Sequence, residues 1–380
     1  MREYLTVFLV SAVVTYLLGV VAREVAMRTG AVAKVRDRDV HAVPIPYFGG
    51  LAMLGGLTAG YLVARRLPFL SLSTDSIFHD AKVVLGAGAL ICALGVVDDL
   101  IELDAVTKLA GQVIAAALLV VFQVQYYSFQ LPGGGQFAPD TGQAAILTVV
   151  VVVATVNAVN FVDGLDGLAA GVVAIGAVAF FLFSYKLADA NGETLAITAA
   201  LLCAALGGAC VGFLPHNFFP ARIFMGDSGS MLIGFVLAGS ALTLTGQFAS
   251  VDMSRGVGGS HASLLPALLP IVLPIAILIV PFADLVLAVV RRTRAGRSPF
   301  APDKQHLHHR LLEIGHSHRV AVLIMWLWAG LIAFGGVLAS LYASRLTTIV
   351  LLVWVAVTVA LTFLLPRYHR HYERAGSARV

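Results

Sequence analysis

Residues 144–185 read AAILTVVVVVATVNAVNFVDGLDGLAAGVVAIGAVAFFLFSY. Two apolar runs, 144–161 and 167–185, flank a five-residue gap that holds Asp163 and Asp166. A helix needs about 20 apolar residues to cross a bilayer, so each run is the length of a span. The gap is too short for a soluble segment, and the stretch predicts a transmembrane helical hairpin with two acids at its tip. The rest of the 380-residue chain agrees: 59% of it is apolar, 12% is charged, and mean hydropathy is +0.91. A soluble globule of this size could not cover its surface with so few charges, and disorder is excluded for the same reason.

Nine further apolar runs lie outside the hairpin, at 4–22, 44–64, 81–97, 109–124, 195–214, 229–246, 264–290, 320–341 and 347–366. The first follows Met1-Arg2-Glu3 without a small-residue cleavage site and reads as a retained span. The run at 264–290 carries Pro266, Pro270, Pro274 and Pro281 and should be kinked. If the N-terminus lies outside, the inner segments hold 18 of the Lys and Arg residues and the outer side 7, which fixes the orientation by the positive-inside rule. The expectation is an all-α integral membrane protein of about eleven transmembrane helices, N-terminus outside and C-terminus cytoplasmic. It forms one polytopic domain over 1–366 with cytoplasmic loops at 23–43, 98–108, 157–166, 215–228 and 291–319, and a cytoplasmic tail at 367–380. The outer loops 125–143 and 247–263 read as turns. Cys92, Cys203 and Cys210 lie inside apolar runs and read as packing residues, not as a disulfide or zinc set. The net charge of +4 is spread over loops and gives no nucleic-acid patch.

With that topology, every polar cluster falls on the cytoplasmic side. Asp98 and Asp99 follow the third span, and Lys108 and Gln112 share a face at the start of the fourth. Asn157, Asn160, Asp163 and Asp166 occupy the hairpin tip. Asp166 can cap the next helix, a role that leaves the other three unexplained at the hydrocarbon edge. Asn217, Arg222, Phe224, Asp227 and Ser228 precede the eighth span, whose N-terminal N–H groups suit an anion such as phosphate. Asp303, His306, His308, His309 and Arg310 lie in a basic loop after the ninth span. Histidines at i, i+2 and i+3 do not share a helical face and no Cys is near, so phosphate binding is favoured there over zinc. His316 and His318 read as surface residues. Five acids converging on one membrane face form a site hypothesis. An oxygen donor set without Cys suggests Mg²⁺ or Mn²⁺, and acids beside basic groups suit phosphoryl transfer on a diphosphate. No Walker-type loop points to an ATP-driven pump. Asp284, within the ninth run, is the one support for an ion-coupled transporter, which would place acids near mid-membrane on several spans.

These motifs resemble the polyprenyl-phosphate N-acetylhexosamine-1-phosphate transferases. The resemblance rests on Asp98-Asp99, on the run from Asn157 through Asn160, Asp163-Gly164 and Asp166-Gly167-Leu168, and on Phe224-Met225-Gly226-Asp227 with Gly229-Ser230. It extends in the family's order from His41 to the histidine loop. It implies a multi-pass bacterial plasma-membrane enzyme with a cytoplasmic active site. Such an enzyme moves a sugar phosphate from a UDP-sugar to a polyprenyl phosphate, releases UMP and requires Mg²⁺. By position, the resemblance makes Asp98 and Asp99 catalytic or metal-associated, Asp163 and Asp166 catalytic residues of the cleft, and Asp227 the acid tied most directly to Mg²⁺. Asn157 and Asn160 line the cleft, Phe224 stacks on the base and Asn217 helps hold the nucleoside. Lys108, Arg222, Asp303, His306, His308, His309 and Arg310 meet the donor and its phosphates. The pattern His306-Leu307-His308-His309 differs from the three consecutive histidines of muramoyl-pentapeptide transferases, and is similar to enzymes using UDP-N-acetylglucosamine. Tyr47 departs from many relatives, which carry Arg there. The Ala- and Val-rich composition suits an actinobacterium with a decaprenyl carrier in place of undecaprenyl, and the family implies a homodimer.

Overall fold

The computed structural model describes residues 1–32, 45–71, 75–126, 129–130, 136–191, 195–245, 293–294, 296, 315–342 and 344–363. The run 264–290 with Asp284, the loop residues Asp303, His306, His308, His309 and Arg310, most of the first loop, and the tail 367–380 lie outside the described residues.

The described chain is helical apart from one two-residue ladder. Its elements are α1 (Arg2–Thr29), α2 (Gly49–Ala64), α3 (Pro68–Ser71), α4 (Asp75–Ile101), α5 (Ala105–Val121), β1 (Phe129–Gln130), β2 (Gln136–Phe137), α6 (Thr141–Val162), α7 (Leu168–Asn191), α8 (Leu195–Asn217), α9 (Gly226–Thr245), α10 (His318–Leu341) and α11 (Arg345–Phe363). Eight of these helices are long and apolar enough to cross a membrane, and α2 and α5 are shorter apolar helices. All ten fall on predicted runs. The β1–β2 pair is antiparallel, with Phe129 opposite Phe137.

Local chemistry sets the ends. Asp104 caps α5 by accepting from the Val106 and Thr107 N–H groups. The Thr107 hydroxyl and amide hold the Asp104 carboxyl below its usual range. Asp140 and Gln143 form a reciprocal capping box at the start of α6. Two boundaries depart from the apolar pattern. α2 begins at Gly49, not at 44, because Pro46 pairs its carbonyl with Phe224 and Phe48 adopts φ 79. α4 extends beyond run 81–97 at both ends and takes Asp98 and Asp99 into its last turn.

The core is built on α8 and α9, both almost wholly buried. α9 packs against α2, α4, α6, α7 and α8. α1 lies across α2 and α8, α10 on α7, and α11 on α10. α5 lies between α4 and α6 at the edge, with Val106, Leu109, Ile114 and Val121 exposed. α11 and one face of α1 present exposed Leu, Ile and Val, as a hydrocarbon solvent requires. Cys92, Cys203 and Cys210 are buried and free.

Candidate active site

The chain winds so that one end of the bundle collects the C-termini of α4, α6 and α8 with the N-termini of α5, α7 and α9. Asp98 and Asp99 are neighbours in sequence but about 100° apart around a helix of 3.6 residues per turn, so they face different partners. Asp98 Oδ1 accepts from the Leu103 N–H at 2.8 Å and Oδ2 accepts from Lys108 Nζ at 3.0 Å. Asp99 turns to α9, where its carboxylate accepts from the Asp227 N–H at 2.8 Å and the Ser228 N–H at 3.3 Å.

Asp99 thereby becomes the N-terminal cap of α9, supplied from another helix. The N–H groups that the sequence offered to a phosphate are engaged here by the protein's own Asp99 side chain. Two glycines make room for it. Gly226 adopts φ 66, and a Cβ there would meet the Asp99 carboxylate. A Cβ at Gly95 on α4 would run into the Ser228 backbone.

Asp227, in the first turn of α9, has one oxygen on each neighbouring helix. Oδ2 accepts from Lys108 Nζ on α5, and Oδ1 accepts from Asn160 Nδ2 on α6 at 2.8 Å. Asn160 Nδ2 also reaches the buried Ser230 hydroxyl at 2.9 Å. Lys108 therefore bridges Asp98 and Asp227, and all three side chains are mostly shielded from solvent. One turn deeper, Asn157 Nδ2 donates to Gln112 Oε1 at 2.6 Å.

At the hairpin tip, Asp166 Oδ2 accepts from the Ala221 N–H at 2.8 Å, tying the tip to the α8–α9 loop. Asn217 adds a second tie, accepting from the Gly167 N–H at 2.9 Å and donating to the Ile223 carbonyl at 3.1 Å. Both ends of this buried amide engage backbone. Asp163 ends α6, and burial, with Asp99 and Asp166 nearby, pushes its pKa up to about 8.

The α8–α9 loop carries Phe224, whose ring lies 6.4 Å from that of Tyr47, and the exposed Arg222. The loop is pinned from two sides. Arg23 of α1 donates to the Arg222 carbonyl at 3.2 Å, and Arg319 of α10 donates to the Phe219 carbonyl at 3.1 Å. His318 stacks on Phe219 at 4.9 Å, with 9° between the planes. His316 is buried, and its Nε2 donates to the Thr362 carbonyl at 3.0 Å. Neither histidine is the free surface residue the sequence suggested. A backbone ladder completes the frame. Tyr47 N–H donates to the Ala31 carbonyl, Phe224 N–H to Pro46, Gly49 N–H to Phe224 and Gly50 N–H to Met225.

The structure thus brings Asp98, Asp99, Lys108, Asn157, Asn160, Asp163, Asp166, Asn217, Arg222, Phe224 and Asp227 to one end of the bundle. Sequence reasoning missed Ser230, Arg23 and Arg319 as members of this frame. Ser230 lies inside a quoted motif and was within reach. The two arginines look like any boundary cations until the loop they hold is seen.

Residues 81–245, from α4 through α9, match the model of glycosyl transferase family 4. A decaprenyl-phosphate N-acetylglucosaminephosphotransferase of Mycobacterium tuberculosis is 45% identical over 379 residues, covering 98% of this chain and 92% of that protein. A probable undecaprenyl-phosphate N-acetylglucosaminyl 1-phosphate transferase of Bacillus subtilis is 31% identical over 365 residues, covering 95% and 93%. A phospho-N-acetylmuramoyl-pentapeptide-transferase of Mycolicibacterium smegmatis is 31% identical over 333 residues, covering 80% and 86%. With the motifs gathered at one end of a helical bundle and likeness running along nearly the whole chain, the protein belongs to the polyprenyl-phosphate N-acetylhexosamine-1-phosphate transferases.

Proposed function

We propose that the protein transfers N-acetylglucosamine-1-phosphate from UDP-N-acetylglucosamine to a polyprenyl phosphate, decaprenyl or undecaprenyl, and releases UMP. This is the first membrane step of a cell-envelope polysaccharide. The observation that carries the chemistry is the Asp98–Lys108–Asp227 bridge, where helices from three parts of the chain hold two carboxylates around one positive charge. The donor follows the names of the relatives with 45% identity.

The donor set is all oxygen, which fits Mg²⁺ or Mn²⁺. Among the described residues no three His, Cys, Asp or Glu side chains converge as a preformed cage. Mg²⁺ commonly uses one or two carboxylates together with substrate phosphates, and Asp227 would hold it here, which leaves Asp98 free to take a proton. When bound, the ion neutralises the diphosphate and the charge that develops on transfer.

In the transfer, an oxygen of the lipid phosphate attacks the β-phosphorus of the donor. A new P–O bond forms as the bond to the UMP oxygen breaks. Lys108, one hydrogen bond from both acids, supplies a donor to the phosphates. Asp98 accepts the proton when the lipid phosphate enters as its monoanion. Asp99, with its carboxylate on two N–H groups of α9, holds Asp227 in place and is poorly disposed as a nucleophile, which favours direct attack. Burial raises the Asp163 pKa to about 8, so this acid holds a proton more readily than an ordinary carboxyl beside the phosphates.

The reading extends to eleven spans with the N-terminus outside, the site facing the cytoplasm, and a homodimer. Reporter fusions at the C-terminus and light scattering in detergent test these. The reaction is tested by UMP release from purified protein given UDP-N-acetylglucosamine, Mg²⁺ and polyprenyl phosphate. Lipid-dependent UMP, absent with EDTA and in Asp227→Ala, is expected. Release only with UDP-muramoyl-pentapeptide overturns the donor. Silence of folded protein with every donor overturns the reaction.

A further inference from the structure

Beneath the acid bridge lies a second polar rung. Gln112 on α5 is 1% exposed, yet carries a primary amide in an apolar interior. Its Oε1 accepts from Asn157 Nδ2 at 2.6 Å, and its Nε2 donates to Asn157 Oδ1 and Met231 Sδ, both at 3.4 Å. Asn157 also donates to the Val153 carbonyl at 2.8 Å. Gln112 is four residues after Lys108 and Asn157 three before Asn160, so the upper and lower rungs share a face on each helix. The lower rung joins α5 to α6 and bonds to α9 only at the Met231 sulfur, whereas the upper reaches across to Asp227, Lys108 to one oxygen and Asn160 to the other.

α5 has few other means of keeping its register. It is a 17-residue helix at the edge of the bundle, and its remaining buried side chains are Ala115, Ala116 and Leu119. Small apolar contacts of that kind tolerate sliding and rotation. A paired amide does not, because a shift would leave buried donors and acceptors unmatched.

We propose that the Gln112–Asn157 amide clasp is the positioning element for Lys108. It fixes the height and rotation of α5 against α6, so that the ammonium and the Asn160 amide grip the two oxygens of Asp227 together. The Gln112 amide bonds to Asn157 and Met231 and to no acid among the described residues. This inference rests on the transfer reaction proposed above.

The test is a mutant cycle in purified, folded protein. Gln112→Leu keeps the volume and removes the amide. It should lower kcat by about 10- to 100-fold, as displacement of a catalytic group by about 1 Å does. In a Lys108→Met background the same change should cost less than about 2-fold, since residues acting as one unit are not additive. The dissociation constant for UDP-N-acetylglucosamine is measured for all four proteins, which keeps the cycle readable if Lys108→Met does not turn over. The exchange Gln112→Asn with Asn157→Gln should regain activity that each single change loses. Unchanged kcat in Gln112→Leu, or full multiplicative losses in both kcat and binding, overturns the clasp while wild-type UMP release leaves the reaction standing. Wild-type protein that neither binds the UDP-sugar nor releases UMP overturns both.

Discussion

Gly226→Ala tests the cap that joins α4 to α9. The residue adopts φ 66, which costs an L-residue about 1–2 kcal/mol. Its new methyl would meet the Asp99 carboxylate, whose Cγ lies 2.7 Å from the Cβ position. Asp99 must then swing away and release the Asp227 and Ser228 N–H groups. A hydrogen bond to a charged group contributes roughly 1.5–3 kcal/mol, and the one at 3.3 Å less than the one at 2.8 Å. Together these give a loss of about 4 kcal/mol. At roughly 2 °C per kcal/mol for a chain of this size, Tm should fall by about 8 °C. The assay is intrinsic fluorescence on heating in detergent, with UMP release measured alongside. Activity should fall further than stability, because Asp227 shifts with its amide. In Asp99→Ala the cap is already gone, so adding Gly226→Ala should cost only the backbone term of about 1–2 kcal/mol. A single mutant within about 2 °C of wild type, or a double mutant that loses the full sum, would refute the reasoning.

Three further outcomes are expected. Asp163 keeps its proton in the folded protein up to about pH 8, whereas an unfolded Asp releases it near about pH 3.9. Its contribution to stability is therefore full below that lower value and is lost as pH rises toward 8, and Asp163→Asn should flatten the decline of Tm over this window. Lys108→Met leaves Asp98 and Asp227 facing each other without a cation. Tm should drop without metal and rise more on adding millimolar Mg²⁺ than in wild type; an equal rise in both would count against the bridge. Arg319→Ala removes the Phe219 carbonyl's donor and should raise KM for the UDP-sugar about 3- to 10-fold, as the loss of about one hydrogen bond does, with Tm little changed.

The helices and the meeting of the motifs were legible because hydropathy and Lys/Arg bias act over whole segments. What escaped was geometry finer than a helical turn. Asp98 and Asp99 read as a pair, yet the continuation of α4 past its apolar run turns them to separate tasks. Asp166 offered a local cap in the sequence, but its bond to the Ala221 N–H, 55 residues away, leaves no local signal. His316 and His318 sit beside polar and charged residues in sequence, which suggested solvent. His316 is buried against α11 and His318 is half-buried on Phe219, contacts that no local pattern encodes.

The ladder joining residues 31, 46–50 and 224–225 is made entirely of main-chain groups. Its bonds ask only for main-chain atoms, yet a Cβ at Gly49 would meet Phe213 and the Phe224 carbonyl, and one at Gly50 the Ser228–Gly229 backbone, so the start of α2 lies tight against the turn that carries the acid at 227. The side chain at 47 stands on this seam beside Phe224 and packs against Ala26, Ala31 and Phe48. A side chain added at Gly49 or Gly50 would therefore press on the segment that carries Asp227, although neither glycine offers the site a group of its own.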